Sequence, residues 1–347
     1  MTILFADGVS DRLQLQGKYD VFDFINIVAW STSRHADSPA VAVMRATSTG
    51  NTHRLGKYVG GREEIAAGVA FYIHNNSANQ RGSLLQIRDT TGALMCRVEW
   101  DSSSNGRIRL FDGANNLLDQ HGQKGGAANN QFIQISVRIL LDTVDPAQSH
   151  WEWYEGDNYL GQGTANLGSE LIGEVGISAQ ATSTSSRDMR FEDFWITDGQ
   201  LLYDARITTL RPNALGPSSD WERSDPLADY NYEMVNDVTP NFSTYVSSAN
   251  NDELDLYSFE DLTVDEYREV VVGLQLTAVA SKTDAEERSI RLAARPDTTT
   301  HLGDPIEVSS QAAHYQLWEG NPETSAPWEL ADVNASYFGF QSVNPVI

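Results

Sequence analysis

The chain has 347 residues, is 40% hydrophobic, and carries 48 acidic against 24 basic side chains for a formal net charge of -24. Roughly 100–200 residues per domain gives two domains for this length, and the hydrophobic share excludes a disordered chain. The charge argues against nucleic-acid partners and anionic membranes, and the single cysteine, Cys96, excludes an internal disulfide or a thiolate metal cluster.

Met1-Thr-Ile-Leu-Phe-Ala-Asp7 has neither the basic flank nor the long apolar stretch of a secretory signal. No run approaches the ~18 apolar residues of a membrane helix, so no membrane insertion is expected. Strand signals follow. Val69, Phe71 and Ile73 alternate with Ala70, Tyr72 and His74. Leu94, Cys96, Val98 and Trp100 share one face and Arg97 and Glu99 the other, which predicts a buried, inert thiol at Cys96. Arg107–Leu110 repeats the pattern, and Ile133, Ile135, Val137, Ile139 and Leu141 give the clearest case. Period-two alternation means one buried and one wet face.

Turn chemistry separates these segments at Asp89-Thr-Thr-Gly92, Ser104-Asn-Gly106, Asp112-Gly113 and Glu155-Gly-Asp-Asn158. Trp151 and Trp153 share a face and, with Trp100 and Trp195, read as core anchors. The competing reading makes Trp151, Trp153 and Tyr154 a glycan-binding set, because paired aromatics can stack on sugar rings.

Loop formers gather at 199–219, and strands resume beyond them. The candidates are Tyr230–Val235, Leu254–Phe259, a long and central Val270–Ala280, Ser289–Arg295, His314–Trp318 and Ser336–Val343. Thr283–Glu287 is expected to be a hairpin turn joining two of these strands. Thr263-Val-Asp-Glu266 has capping-box spacing, and 328–335 could form another helical turn. The fold class is therefore all-β, with two antiparallel β-sandwich domains of jelly-roll or concanavalin A-like type and few short helices. The domains are placed at 1–200 and 201–347, the second strongly acidic, with 25 of the 48 carboxylates and 8 of the 24 basic residues.

Catalytic signatures are absent from the sequence: no G-x-S-x-G, no phosphate-binding glycine loop, no H-E-x-x-H. The seven histidines have no metal-ligand spacing. Glycoside hydrolysis needs two carboxylates flanking a bond, and the nearest pairs, Glu152/Glu155 and Glu192/Asp193, do not offer that arrangement. Calcium stays open as a cofactor, since oxygen ligands abound at Asp225, Asp229, Asn231, Asn236 and Asp237 and at Asn250, Asn251, Asp252 and Asp255. Otherwise no cofactor is expected.

From about Gly82 to Asp198 the chain resembles the laminin G/concanavalin A-like sandwich of tailed-bacteriophage virion proteins. The residues that carry this are Ser83–Gly92, Phe132–Ile139 and Arg190-Phe-Glu-Asp-Phe-Trp-Ile-Thr-Asp198. Asp204-Ala-Arg-Ile-Thr-Thr-Leu-Arg-Pro212 is similar to a "D-x-R-V-x-T-L-R-P" element of the same proteins. The resemblance implies a non-enzymatic structural component of a virion, in the tail, the baseplate or as a capsid accessory. Such a subunit assembles in the host cytoplasm, is released by lysis, and partners with itself and with other virion proteins. The alternative is a glycan-binding adhesin that attaches to a host surface glycan.

Overall fold

The computed structural model describes residues 2–7, 18–23, 27–30, 41–46, 52–73, 81–101, 106–122, 132–180, 187–237, 242–263 and 270–343. The chain divides into two compact units, with Tyr19–Ile207 in the first and Thr208–Ile347 in the second.

In chain order the strands of the first unit are β1 (Ile3–Asp7), β2 (Val21–Asp23), β3 (Ile27–Trp30), β4 (Val41–Ala46), β5 (Thr52–Arg62) and β6 (Glu64–Ile73). Then come β7 (Arg81–Asp89), β8 (Leu94–Asp101), β9 (Arg107–Asp112), β10 (Leu117–His121) and β11 (Phe132–Leu140). The last are β12 (Ser149–Glu155), β13 (Asn158–Ala165), β14 (Ile172–Gln180) and β15 (Arg187–Thr197). They form two antiparallel sheets. The first runs β13-β12-β11-β6-β15-β4-β3, with β1 also on β15, and the second runs β10-β9-β8-β7-β14-β5-β2. Short turns join β7 to β8 and β12 to β13. In the first of these, Asp89 Oδ1 accepts from the backbone nitrogens of Thr91 and Ala93 at 2.8 and 2.9 Å, and Gly92 takes φ +87°.

The alternation read from the sequence fills the space between these sheets. Ile135, Val137 and Ile139 pair with Val69, Ala67 and Ile65 on one side and with Glu155, Trp153 and Trp151 on the other. Leu85, Ile87, Cys96, Val98, Trp100, Ile108 and Leu110 supply the inner face of the second sheet, all essentially inaccessible. Each such side chain contributes about 1.5–3 kcal/mol on burial. Burial pushes the Cys96 thiol up to about 12, which leaves it a protonated, inert core group.

The second unit holds β16 (Pro212–Ser219), β17 (Glu222–Arg223), β18 (Val246–Ser247), β19 (Leu254–Phe259), β20 (Leu274–Ala280) and β21 (Arg288–Arg295). It continues with β22 (His301–Leu302), β23 (Ile306–Val308), β24 (Ala312–Trp318), a short helix α1 (Leu330–Ala335) and β25 (Tyr337–Val343). The main sheet runs β16-β19-β25-β21-β22, with β23 also on β21, and β20 and β24 form a separate two-stranded ribbon. Leu276, Ala278, Ala280 and Trp318 of the ribbon pack on Ile290, Leu292 and Val308 of the sheet.

Three sequence expectations in this unit are corrected. Tyr230–Val235 is not a strand: Asn231–Met234 is a 3-10 turn. The backbone nitrogens of Asp229 and Tyr230 donate to Glu233 Oε2, and Asn231 Nδ2 donates to Trp221 O and Asp255 Oδ2. Side-chain bonds of this kind outcompete a ladder. The Val270–Ala280 segment is not central; only Leu274–Ala280 forms a strand, within the two-stranded ribbon. Thr283–Glu287 is not a hairpin, because β20 pairs with β24 while β21 pairs with β25. Asp284 instead accepts from Arg288 at 2.8 Å. Most of the capping-box segment at 263–266 lies outside the described residues.

Candidate functional site

The two sheets of the first unit each have an outer face, and the chain treats them differently. On the first sheet, Trp195 lies flat over Gly68, where a Cβ would come within 2.4 Å of the indole. Leu201, Leu202, Ala205 and Ile207 then pack over Trp195, Ala66 and Tyr154. This strap is fastened by Asp193. A bulge between Glu192 and Trp195 turns Asp193 to φ +50°, and its Oδ1 accepts from the Ile207 backbone nitrogen at 2.9 Å. Glu192 and Asp193 are both buried.

The residues read as a glycan-binding set lie on this first sheet. Trp151 and Trp153 face the core, 5% and 0% exposed, and Trp153 Nε1 donates to Asp119 Oδ2 at 3.0 Å. Neither indole offers a face to a sugar. Tyr154 is on the outer face, edge-on to Tyr159 and Tyr203. Its hydroxyl donates to Glu152 Oε2, and Glu152 in turn accepts from Arg138, which also binds Glu64. Partial burial, then the Glu152 charge, push the Tyr154 phenol up to about 12.

The second sheet presents a polar outer face. The same period that buries Ile87, Cys96 and Leu110 turns Arg54, Arg88, Arg97, Arg107 and Arg109 outward from β5, β7, β8 and β9. One register row crosses the sheet as Gly56, Gly176, Gln86, Arg97, Phe111 and Leu117. Flanking it are Tyr58, Glu174 and Arg88 on one side and Glu99, Arg109 and Gln120 on the other. Arg97 binds Glu99 and sits 4.7 Å from the Phe111 ring centroid. Arg109 Nη1 meets Asp101 Oδ2 at 2.6 Å. Arg107 donates to Gln120. Arg88 Nη2 donates to Gln86 Oε1 at 2.9 Å and Nη1 to the Gly92 carbonyl at 2.8 Å.

Glu174 stands at the centre of this face, 5% exposed. Its Oε1 is 3.3 Å from Arg54 Nε and occupies the space a Cβ on Gly56 would fill, 2.2 Å from that position. Burial raises the Glu174 carboxyl above the ordinary carboxylate range, against the pull of Arg54 and Arg88. Arg88 is lowered by burial and by the neighbouring Arg54 charge. Among the described residues Arg88 Nε, Ser178 Oγ and Glu174 Oε1 itself are buried here without a hydrogen-bond partner, a cost of about 1–3 kcal/mol each unless a ligand or water relieves it. The arrangement can hold a planar anion through guanidinium forks. Sequence reading took Arg97 and Glu99 only as a wet face. The signal available was arginine at outward positions of several strands in a strongly acidic chain.

Among the described residues no group of three or more His, Cys, Asp or Glu side chains is gathered for a metal ion. Of the oxygen ligands considered for calcium, Asp255 is buried and accepts from Trp221 N, Asn231 Nδ2 and Tyr257 OH, and Asp225 accepts from Leu227 N.

No family profile matches the sequence, and no curated protein matches it. Solved structures do. The chain is similar to an endo-β-1,4-glucuronan lyase from the fungus Trichoderma reesei at 11% identity and a TM-score of 0.44, over 58% of this chain and 98% of that one. It is similar to alginate lyase vAL-1 from a Chlorella virus at 10% identity and 0.40, over 56% and 99%. A third is alginate lyase Aly36B in complex with an alginate trisaccharide, at 10% and 0.37, over 50% and 88%. These neighbours are named as polysaccharide lyases, against two expectations: that the chain is a non-enzymatic virion component or host-attachment adhesin, and that it is not an enzyme.

Proposed function

We propose that the first unit is a carbohydrate-active sandwich that binds an acidic polysaccharide of the uronate class on the outer face of its second sheet. One observation carries this reading: five arginines project from a single sheet face of a chain whose net charge is -24. Adjacent strands are about 4.8 Å apart, so guanidinium groups on the neighbouring strands β9, β8 and β7 recur at intervals that suit a polymer with one carboxylate per sugar, with Arg54 on β5 one strand further on, across β14. Glu99, Asp101 and Glu174 stand among them. Those carboxylates disfavour a nucleic acid, whose phosphates bring a charge every ~1.7 Å. Phe111 under Arg97 and the exposed Tyr58 add ring surface. A guanidinium paired with a uronate carboxylate also stabilises negative charge developing on the neighbouring carbon. Eliminative cleavage is therefore the chemistry that such binding favours.

The test is calorimetric binding of polygalacturonate and of dextran at low salt, with the absorbance of unsaturated product followed in parallel. Polygalacturonate should bind and dextran should not, with Arg97→Ala and Arg109→Ala each weakening binding about tenfold or more. Equal affinity for the two polymers would sink the reading.

A further inference from the structure

We infer that Glu174 is the specificity-determining carboxylate of this face: it holds the place of a sugar carboxylate between Arg54 and Arg88, and a uronate enters as Glu174 gives up its charge. This rests on the uronate reading above.

Three features point the same way. Glu174 reaches Arg54 over Gly56, whose missing side chain leaves the room its carboxylate occupies. It lies directly across the ladder from Arg88, and among the described residues Arg88 Nε and Glu174 Oε1 are both buried without a hydrogen-bond partner. Glu174 is nearly inaccessible, whereas Arg54 retains 24% side-chain exposure and can turn to a ligand. A planar carboxylate on a ligand would make the same contact with Arg54 and add the missing one on Arg88.

Two carboxylates cannot share that cleft while both are ionised. Among the described residues the charged groups around Glu174 are Arg54 on β5, Arg88 on β7, and Asp20 just before β2. Asp20 is held in turn by Lys57 at 3.2 Å and by the Tyr58 backbone nitrogen at 2.7 Å, and Asp89 acts on Arg88. Of these, burial sets Glu174 apart by favouring its neutral form. A uronate carboxyl, acidic like an α-carboxyl at about 3.5, stays ionised where Glu174 takes up a proton. Neutral Glu174 releases Arg54, and the site changes from self-paired to anion-binding. By linkage, bound uronate raises the proton affinity of Glu174 by the same factor.

The experiment uses the full chain and polygalacturonate, titrated calorimetrically from about pH 5 to pH 8 in buffers of different ionisation enthalpy. Wild type, Glu174→Gln and, as a control at the neighbouring pair, Glu99→Gln are compared. Glu174→Gln should bind about tenfold more tightly than wild type at the alkaline end, the ratio falling toward one at the acid end. Wild type should take up close to one proton per site on binding and Glu174→Gln none. The proton count needs no variant, so it stands even if Glu174→Gln folds poorly. If wild type prefers polygalacturonate over dextran but takes up no proton, and Glu174→Gln binds no better at any pH, the role of Glu174 is overturned and the uronate reading survives. If no protein prefers polygalacturonate at any pH, the uronate reading fails and this inference with it.

Discussion

The outer faces of the two sheets in the first unit start from the same alternation and end differently. On the first sheet the outward positions include Ala66, Gly68 and Ala70, small residues that let Trp195 and then the strap 201–207 lie close. On the second sheet the outward positions carry arginine, glutamate and glutamine, with Gly56 and Gly176 in the row between them. The first face is closed by apolar contact and one buried aspartate. The second is held by ion pairs of partly buried guanidinium groups, of which Arg54 keeps 24% side-chain exposure. Glycine serves both, making room for an indole at Gly68 and for a carboxylate at Gly56. Outward-facing residues of a sandwich are thus a choice between stability and recognition, written in side-chain size and charge.

Substitutions should separate the two. Trp195→Ala removes a 1%-exposed indole and should cost about 3–5 kcal/mol in urea unfolding. Gly68→Ala drives a methyl into the same ring and should cost about 1–3 kcal/mol. Made on top of Trp195→Ala, it should cost almost nothing more, since the clash is gone. Additive costs would mean the ring does not rest on Gly68. On the other sheet, Arg109→Ala removes the cation that meets the inaccessible Asp101 carboxylate and should cost about 3–5 kcal/mol, whereas Arg97→Ala, whose partner Glu99 keeps 15% exposure, should cost less while reducing polyuronate binding.

Asp193 gives a smaller and more selective effect. Asp193→Ala loses the acceptor for Ile207 N and sets alanine at φ +50°. A destabilisation of about 1–3 kcal/mol should follow, seen as faster hydrogen exchange at Ile207. Asp193→Asn keeps both the acceptor and the tolerance for positive φ, and should recover most of the loss. Equal costs for the two variants would remove Asp193 from its fastening role.

The sheets themselves were legible, because Val, Ile and aromatic residues at period two leave few alternatives where one face is buried. Phe132–Leu140 and Leu94–Asp101 read correctly for that reason. The strap was not legible: Leu201, Leu202, Ala205 and Ile207 have no period, and their burial depends on Trp195, which the bulge at Asp193 positions. Within the second unit, Tyr230–Val235 misled because Glu233 and Asn231 bind backbone and side chains locally. The arginine face was visible only as polarity. Alternation tells which residues point out; it does not tell that outward residues on separated stretches of chain become neighbours. That follows from strand order, where β14 brings Glu174 between β5 and β7.

The finest distinction between the faces is the pH range in which each titrates. Tyr154, on the strap side, is pushed up to about 12 by partial burial and by the Glu152 charge. A raised phenol favours the protonated, folded form. Its contribution is complete below the unfolded value near 10 and fades as pH rises toward 12. With the ring partly exposed, solvent screening holds that contribution to about 1 kcal/mol or less. Glu174 is raised as well, so by the same sign its contribution is present in acid and fades as pH rises through the carboxylate range. Alkali should therefore loosen the strap side, a change Tyr154→Phe removes, while mild acid should act on the arginine face, a change Glu174→Gln removes. The measurement is the slope of melting temperature against pH for each variant, at about pH 9–11 and about pH 4–7. An alkaline slope that survives in Tyr154→Phe would assign the titration to another group and leave the strap indifferent to pH.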